Sequence, residues 1–287
     1  MAKGIPLVAA VLALCLSISR AIESPWISER IAIAFVDTFD DFRIGHEQYQ
    51  HFVVKGTRSK AAYAARQGYD LNLIVFSIEG SDRMNWNKLY WTRKQFGVTC
   101  KNCSVTVPLC HKYDWIMWMD NDIFITNMTV RIQDVIEAGR IVHGGEYPHF
   151  IATRDNLNSI NTGTALVRCS RQGLALLDAA LALKGTESVN RLVGMFDHNG
   201  AIWQLHDEQE WVRNITALVP AKLMNAYPWM ATGQFAVCPD KPTCDQGHWS
   251  PGDFLIHFAG DNKRAVVPFL RAFPPSTWIG YNGSMTY

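Results

Sequence analysis

The run from Asp114 to Ile125 constrains the fold more than any other stretch of this chain. Its first half, Trp115 to Met119, carries large apolar side chains at every position and does not alternate apolar with polar residues. Continuous apolar runs of this kind are typical of interior strands in largely parallel sheets, which are covered on both faces. Two acids, Asp120 and Asp122, follow at once. We therefore expect an α/β fold with this strand inside a mostly parallel central sheet.

The acid pair is placed where it could bind a divalent cation. In an extended chain, residues i and i+2 point the same way, and ligands of open α/β sheets bind beyond the carboxyl ends of the strands. Carboxylate oxygens suit Mn²⁺ or Mg²⁺, ions that commonly also bind substrate phosphates. Acid pairs near strand ends are also frequent as turn formers and helix caps. The rest of the chain has to decide between these two interpretations.

Strands and helices alternate around this run, as they do in a parallel α/β sheet. Further strands are predicted at 31–37, 71–78, 141–143, 161–168 and 253–258. Helices are predicted at 59–67, 85–96, 130–138, 172–183 and 206–214. Residues 220–251 are rich in loops and aromatic residues. We find no linker or internal repeat, and therefore expect one domain.

The first 21 residues are typical of a secretory signal peptide. Lys3 precedes an apolar run from Ile5 to Ile18, and small residues lead to a cleavage point after Ala21. The run is shorter than the roughly 20 residues of a membrane span, although an uncleaved signal anchor is the alternative. Both interpretations place the remainder in the secretory lumen. The net charge of +1, without a basic run, indicates neither a nucleic-acid partner nor an acidic membrane surface.

Cysteines and glycosylation motifs agree with a secretory chain. Six cysteines remain outside the signal, and an even number in an oxidising compartment suggests disulfides. Cys238 and Cys244 flank a short loop and could pair, whereas the other connectivity stays open. Cys100 and Cys103 could instead form half of a zinc site, but no second pair has the matching spacing. Four N-glycosylation motifs begin at Asn102, Asn127, Asn214 and Asn282.

The last predicted strand leads into a second candidate ligand, His257. A histidine at a strand end can bind a metal through its neutral imidazole, although a lone histidine is more often structural. Gly260 then permits a close backbone approach to a ligand, and Lys263 follows where it could reach a diphosphate.

Several blocks, taken in order, resemble glycosyltransferase family 34. This family holds fungal Golgi α-galactosyl- and α-mannosyltransferases, plant xyloglucan xylosyltransferases and galactomannan galactosyltransferases. The blocks lie at 63–71, 86–88, 115–122, 161–163, 176–178, 207–209 and 252–260. The resemblance spans about residues 30 to 265 and implies one GT-A domain over 25–287. It also implies a retaining, Mn²⁺-dependent enzyme that transfers galactose, mannose or xylose in an α-linkage from a nucleotide sugar to a glycan acceptor.

The resemblance also implies roles for individual residues. The metal ligands would be Asp120, Asp122 and His257, binding Mn²⁺ or Mg²⁺. Contacts with the donor are implied for Arg66, Lys88, Asp120, Asn121, Gly260 and Lys263. Catalytic roles beside the donor sugar are implied for Asp207, Glu208 and Gln209. On the acceptor side, Asn161, Thr162 and Gly163 match a turn that lines the site, and Trp229 and Trp249 are candidates for stacking on sugars.

The chemistry leaves two mechanisms open. Asp207 or Gln209 could stabilise an oxocarbenium-like carbon, and a same-face reaction would let the departing phosphate take the acceptor proton. The rival mechanism uses Asp207 or Glu208 as a covalent nucleophile. Without the resemblance, 207–210 would be interpreted as solvated charge on a helix face. The sequence departs from the family at Asp261, where a cysteine is common.

These features lead to one prediction and two rivals. We expect a transferase in the lumen of the secretory pathway, chiefly the Golgi, that is either membrane-anchored or secreted. Its donor would be UDP-galactose, UDP-xylose or GDP-mannose. It would act as a monomer or as a homo- or hetero-oligomer. The first rival is a catalytically inactive glycan-binding or scaffold subunit with the same fold. The second is a metal-dependent hydrolase, which the missing second cluster of ligands disfavours.

Overall fold

A computed structural model gives the architecture of the chain. It describes residues 30–36, 55–74, 86–97, 109–155, 159–186, 198–231, 234–239, 242 and 246–281. The predicted signal peptide, the Cys100–Cys103 pair and the motifs at Asn102 and Asn282 lie outside these residues. The single-domain boundary of 25–287 stays a prediction.

A six-stranded mixed sheet forms the centre of the fold, with the strand order β2-β1-β3-β6-β5-β7. Its strands are β1 (Ile31–Val36), β2 (Asp70–Ile74), β3 (Trp115–Asp120), β5 (Phe150–Arg154), β6 (Ile160–Arg168) and β7 (Thr216–Val219). Three of its five pairings, β1–β2, β1–β3 and β5–β7, are parallel. The pairings of β6 with β3 and with β5 are antiparallel. The predicted mostly parallel α/β sheet is confirmed.

Strand β3 is buried on both faces, as its apolar run predicts. Trp115, Met117 and Met119 belong to the core on one side of the sheet. Ile116 and Trp118 belong to the core on the other side. Because both faces are occupied by large side chains, the strand holds its carboxyl end, and Asp120 with it, in a fixed place.

Helices cover both faces of this sheet. They are α1 (Thr57–Gln67), α2 (Asn87–Lys94), α3 (Leu109–Lys112), α4 (Ile132–Val142), α5 (Arg171–Ala182), α6 (His198–Glu208), α7 (Glu210–Ile215), α8 (Ala221–Met224) and α9 (Val266–Ala272). A 3₁₀ helix spans Gly260–Ala265, and another spans Pro275–Thr277. The predicted helices at 59–67, 85–96, 130–138 and 172–183 are present with shifted ends. None of the described helices is long and apolar enough to cross a membrane.

Two predictions of local structure are wrong. The strand expected at 141–143 is the last turn of α4 and the residue after it. The helix buries residues spaced three and four apart, such as Ile132 and Ile136, and this pattern continues past the expected end while Val142 faces solvent. The single helix expected at 206–214 is two helices, because Gln209 adopts an extended conformation between them.

Two short ribbons complete the fold beside the sheet. β4 (Ile123–Ile125) pairs antiparallel with β10 (Leu255–His257), and β8 (Trp229–Ala231) pairs with β9 (Gln234–Ala236). Strand β4 follows β3 after the two-residue turn of Asn121 and Asp122, so the ribbon brings the later part of the chain back to that turn.

Disulfides are present, as the cysteine count predicts. Cys110 in α3 bonds to Cys169, the residue after β6. Cys238 is also disulfide-bonded. The predicted pairing of Cys238 with Cys244 lies outside the described residues. The link between Cys110 and Cys169 closes a loop with a sequence separation of 59 residues, and it fastens the amino end of β3 to the carboxyl end of its neighbour.

Candidate functional site

Two segments distant in sequence bring Asp120, Asp122 and His257 together. Asp120 ends β3, Asp122 lies in the following turn, and His257 ends β10. One ligand atom from each of these side chains lies within 4.8 Å of the others. Asp122 and His257 are buried, while Asp120 is partly exposed. Two hard carboxylates and one imidazole, facing one another and open on one side, form a donor set that fits Mn²⁺.

The β4–β10 ribbon fixes this convergence. His257 lies opposite Ile123, the residue directly after Asp122. The backbone N–H of Phe258 donates to the carbonyl of Asp122 over 2.9 Å. From the other side, the buried Lys60 of α1 donates to the carbonyl of Ile123 over 2.6 Å. The turn that carries Asp122 is therefore held by hydrogen bonds on both flanks.

Strand β6 closes the site against the histidine ring. Because β6 runs antiparallel to β3, with Thr164 opposite Met119, its first residues lie beside the end of β3. A Cβ on Gly163 would lie 2.2 Å from Cε1 of His257. The strand predicted at 161–168 is confirmed, and it includes Asn161, Thr162 and Gly163, which the resemblance matched to a turn lining the site. The predicted acceptor role of these residues stays a prediction.

Lysine side chains surround the two carboxylates. Lys88 of α2 contacts Oδ1 of Asp120 at 2.5 Å and donates to the carbonyl of Thr162 over 3.1 Å. Lys263, which follows the turn at Gly260 (φ 56°), has its ammonium 3.7 Å from Oδ2 of Asp122. Each of these two ammonium groups lies beside one of the two carboxylates. Their placement beside the acids suits a phosphate-bearing ligand bound over the metal.

The charge of Asp122 is maintained despite its burial. Burial alone would raise its pKa, but His257, Lys263 and Lys60 together hold the pKa of Asp122 well below its ordinary value. Its buried Oδ1 has no hydrogen-bond partner, although it lies 3.2 Å from Nε2 of His257. A buried carboxylate oxygen left without a partner is costly. A cation held between Asp120, Asp122 and His257 would satisfy it.

The start of helix α6 lies at this site. Oδ1 of Asn199 accepts hydrogen bonds from the backbone N–H and the hydroxyl of Thr162. Burial lowers the pKa of His198 well below its ordinary value, and nearby Lys88 lowers it further. Neither residue was predicted from the sequence, because neither belongs to a motif or to a predicted helix.

Asp207 and Glu208 end α6, and Gln209 follows them. Glu208 accepts hydrogen bonds from Gln204 of its own helix, and all three residues are exposed. The catalytic role that the resemblance implies for these residues, and the alternative of solvated charge on a helix surface, both stay predictions.

Two further predicted contacts are corrected. Arg66 lies in the last turn of α1, about 9 Å along the helix from Lys60, and donates to the carbonyl of Gly280. Trp249 is buried in the core, where its indole N–H donates to Oγ1 of Thr126. Arg66 is therefore not placed to bind the donor, and Trp249 is not placed to stack on an acceptor. Trp229 is partly exposed beside His248, and its acceptor role stays a prediction.

Comparisons with known proteins agree with the fold and with the site. The computed fold is similar to a crystal structure of a glycosyltransferase involved in the glycosylation of the major capsid of PBCV-1. That similarity has a TM-score of 0.52 at 11% identity and covers 81% of this chain and 96% of that one. It shows the GT-A fold.

Sequence relatives are plant glycosyltransferases. The chain is 28% identical over 135 residues to the probable glycosyltransferase 3 of Oryza sativa subsp. indica, which covers 45% of this chain and 26% of that protein. It is 25% identical over 132 residues to the xyloglucan 6-xylosyltransferase 4 of Arabidopsis thaliana, covering 45% and 23%. The match thus spans only about a quarter of each relative. The galactosyl transferase GMA12/MNN10 family matches over residues 28–267. The chain therefore belongs to the galactosyl transferase GMA12/MNN10 family.

Proposed function

We propose that this chain is a Mn²⁺-dependent glycosyltransferase that moves galactose, mannose or xylose from a nucleotide sugar to a glycan acceptor. The observation that carries the proposal is the convergence of Asp120, Asp122 and His257 with two lysines beside them. Membership of the family and the names of its relatives support a glycosyl donor and acceptor. UDP-galactose, UDP-xylose and GDP-mannose are the donors to test.

The donor diphosphate would lie over the metal ligands. Mn²⁺ bound there supplies a Lewis acid for the negative charge that develops on the leaving group. Lys263 and Lys88 are aimed at the same region, and each can exchange its carboxylate partner for a phosphate oxygen. Asn121 and Gly260 flank the ligands and offer backbone groups close to the diphosphate.

We propose that transfer retains configuration, forms an α-linkage and proceeds on one face. Retention rests on the resemblance to the family. The departing phosphate would take the acceptor proton, and a covalent nucleophile at Asp207 or Glu208 is the rival mechanism. Asn161 and Thr162 of β6 and Asn199 at the start of α6 are the polar groups that we propose to lie on the side of the donor sugar and the acceptor.

We place the activity in the lumen of the secretory pathway, most simply the Golgi. Disulfides at Cys110, Cys169 and Cys238 agree with an oxidising compartment. The signal-peptide pattern of residues 1–21 agrees with the same route.

Release of nucleotide from a panel of UDP- and GDP-sugars tests the proposal. We expect one donor to be hydrolysed with Mn²⁺, no turnover with EDTA, and loss of turnover in Asp122→Asn. Arg66→Ala is the matched control, because Arg66 lies away from the ligands and should keep its activity. Absence of both turnover and metal-dependent nucleotide binding would reject the proposal in favour of an inactive glycan-binding subunit.

A further inference from the structure

A single side chain, Asn225, holds the imidazole of His257 from behind. Its Oδ1 lies 2.7 Å from Nδ1 of the ring, on the side away from Asp122. Asn225 is fully buried between α8 and the segment that leads to β8. Nothing in its sequence context, Met224-Asn225-Ala226, marks it as functional.

The orientation of the Asn225 amide follows from its other partners. Its Nδ2 group donates to Oγ1 of Thr153 over 3.0 Å and to the hydroxyl of Tyr227 over 2.9 Å. Both amide hydrogens are thereby used, which turns Oδ1 towards the imidazole. Since a carbonyl oxygen only accepts, Nδ1 of His257 must carry a hydrogen.

This hydrogen bond determines what Nε2 can do. With Nδ1 protonated, a ring that gives up its other hydrogen to bind a metal has its lone pair on Nε2, the nitrogen that faces Asp122. Nε2 lies 3.2 Å from Oδ1 of Asp122, an oxygen that forms no well-aligned hydrogen bond. Both atoms are therefore directed at the place where a cation would bind.

The ring has little freedom to turn away. Tyr227 stacks on it with ring centroids 5.8 Å apart and an interplanar angle of 28°. Gly163 packs against its edge. The backbone N–H of His257 donates to the carbonyl of Ala226 over 2.7 Å. The segment 225–227 therefore contributes an acceptor, a backbone anchor and a stacking ring to one histidine.

We propose that Asn225 is a positioning residue that fixes the tautomer and the direction of the His257 ring for metal binding. The inference rests on the proposed function, because it takes His257 as a metal ligand. Outer partners of this kind orient the ligand and commonly change metal affinity by about 10- to 100-fold. Asn225 itself would touch neither the metal nor the substrate.

Two readouts on the purified protein test the inference. In the metal-free wild type, at a pH high enough for the His257 ring to be neutral, ¹⁵N NMR with the His257 signals assigned by His257→Gln should find the Nδ1–H tautomer. Mn²⁺ titration followed by EPR should then give a dissociation constant at least about tenfold weaker in Asn225→Leu. Asn225→Asp keeps an acceptor for Nδ1, and the hydroxyls of Thr153 and Tyr227 can turn to donate to it. This variant should bind Mn²⁺ at least as tightly as the wild type.

The outcomes separate this inference from the proposed function. If the neutral His257 ring of the wild type carries its hydrogen on Nε2 and not on Nδ1, the inference is wrong. This test needs no variant, so it holds even if Asn225→Leu does not fold. Wild-type affinity in Asn225→Leu, or a loss in Asn225→Asp as large as in Asn225→Leu, would also overturn it. Failure of the wild type to bind Mn²⁺ would instead reject the proposed function.

Discussion

Replacing Gly163 by alanine should destroy the metal site by moving one ring. The new Cβ would lie 2.2 Å from Cε1, 2.8 Å from Nδ1 and 2.9 Å from Nε2 of His257. Ordinary carbon contacts begin at about 3.5 Å, so the ring must shift by roughly 1 Å. Metal–ligand distances tolerate only about 0.2 Å. Asn225 holds Nδ1, the atom next to Cε1, and Tyr227 stacks on the ring, so the shift has to disturb their contacts as well.

The expected result is a Mn²⁺ affinity at least about 100-fold weaker, the upper end of what an outer partner alone costs. A tenfold change in binding corresponds to about 1.4 kcal/mol, so the loss amounts to at least about 2.7 kcal/mol. EPR titration of free Mn²⁺ measures it directly. Thr164→Val is the matched control, because this neighbour in β6 points to the other face and its buried hydroxyl has no hydrogen-bond partner among the described residues.

A double-mutant cycle decides whether the effect passes through His257. If it does, Gly163→Ala should cost nothing further in a His257→Ala background. Equal losses in both backgrounds, or wild-type Mn²⁺ binding in Gly163→Ala, would refute the steric reasoning.

Three further predictions follow from the charges and the covalent links. Without nucleotide, Lys88→Met should bind Mn²⁺ about tenfold more tightly, because the substitution removes the ammonium that competes with the metal for Asp120. Calorimetry should show that the same variant binds nucleoside diphosphate more weakly, and weaker binding of both ligands would contradict the prediction. Replacing both Cys110 and Cys169 by serine should lower the free energy of unfolding by about 2–4 kcal/mol, because the disulfide links residues 59 positions apart. Urea titrations measure this change, and an unchanged unfolding midpoint would contradict the prediction. Burial lowers the pKa of four histidines: His149, His198, His206 and His248. Below about pH 6.5 these histidines therefore bind protons in the unfolded chain but not in the folded chain, which favours unfolding. The melting temperature should fall as the pH is lowered from 7.5 to 5.5, and a melting temperature that does not change over this range would contradict the reasoning.

Features that depend on one continuous segment could be predicted from the sequence. The run at β3 has apolar residues at every position, and a strand buried on both faces is the structure that satisfies such a run. The acid pair follows it directly, so its place at a strand end follows from the same pattern. His257 was found because its strand, Gly260 and Lys263 keep a recognisable order. In each case the information lies within about ten residues.

Features that depend on pairing between distant segments could not be predicted in this way. Gly163 matters because β6 runs antiparallel to β3, and the sequence of β6 does not state its direction. Lys88 was predicted to contact the donor, but its contact with Asp120 could not be predicted, because it depends on where α2 packs in the fold. Asn225 has no local pattern at all, since its role comes from Thr153, Tyr227 and His257 meeting around it.

Helix α6 shows which part of an assignment a local pattern does not supply. The block at 207–209 received its catalytic role from the resemblance to the family, since the cluster alone fits solvated charge on a helix surface. Asn199, eight residues before Asp207, had no such pattern, and the structure places it against Thr162. The carbonyl of Thr162 accepts a hydrogen bond from Lys88, the lysine that contacts Asp120. Asn199 is thus linked to the metal ligands through Thr162 and Lys88, and substitutions at Asn199 should therefore alter donor binding.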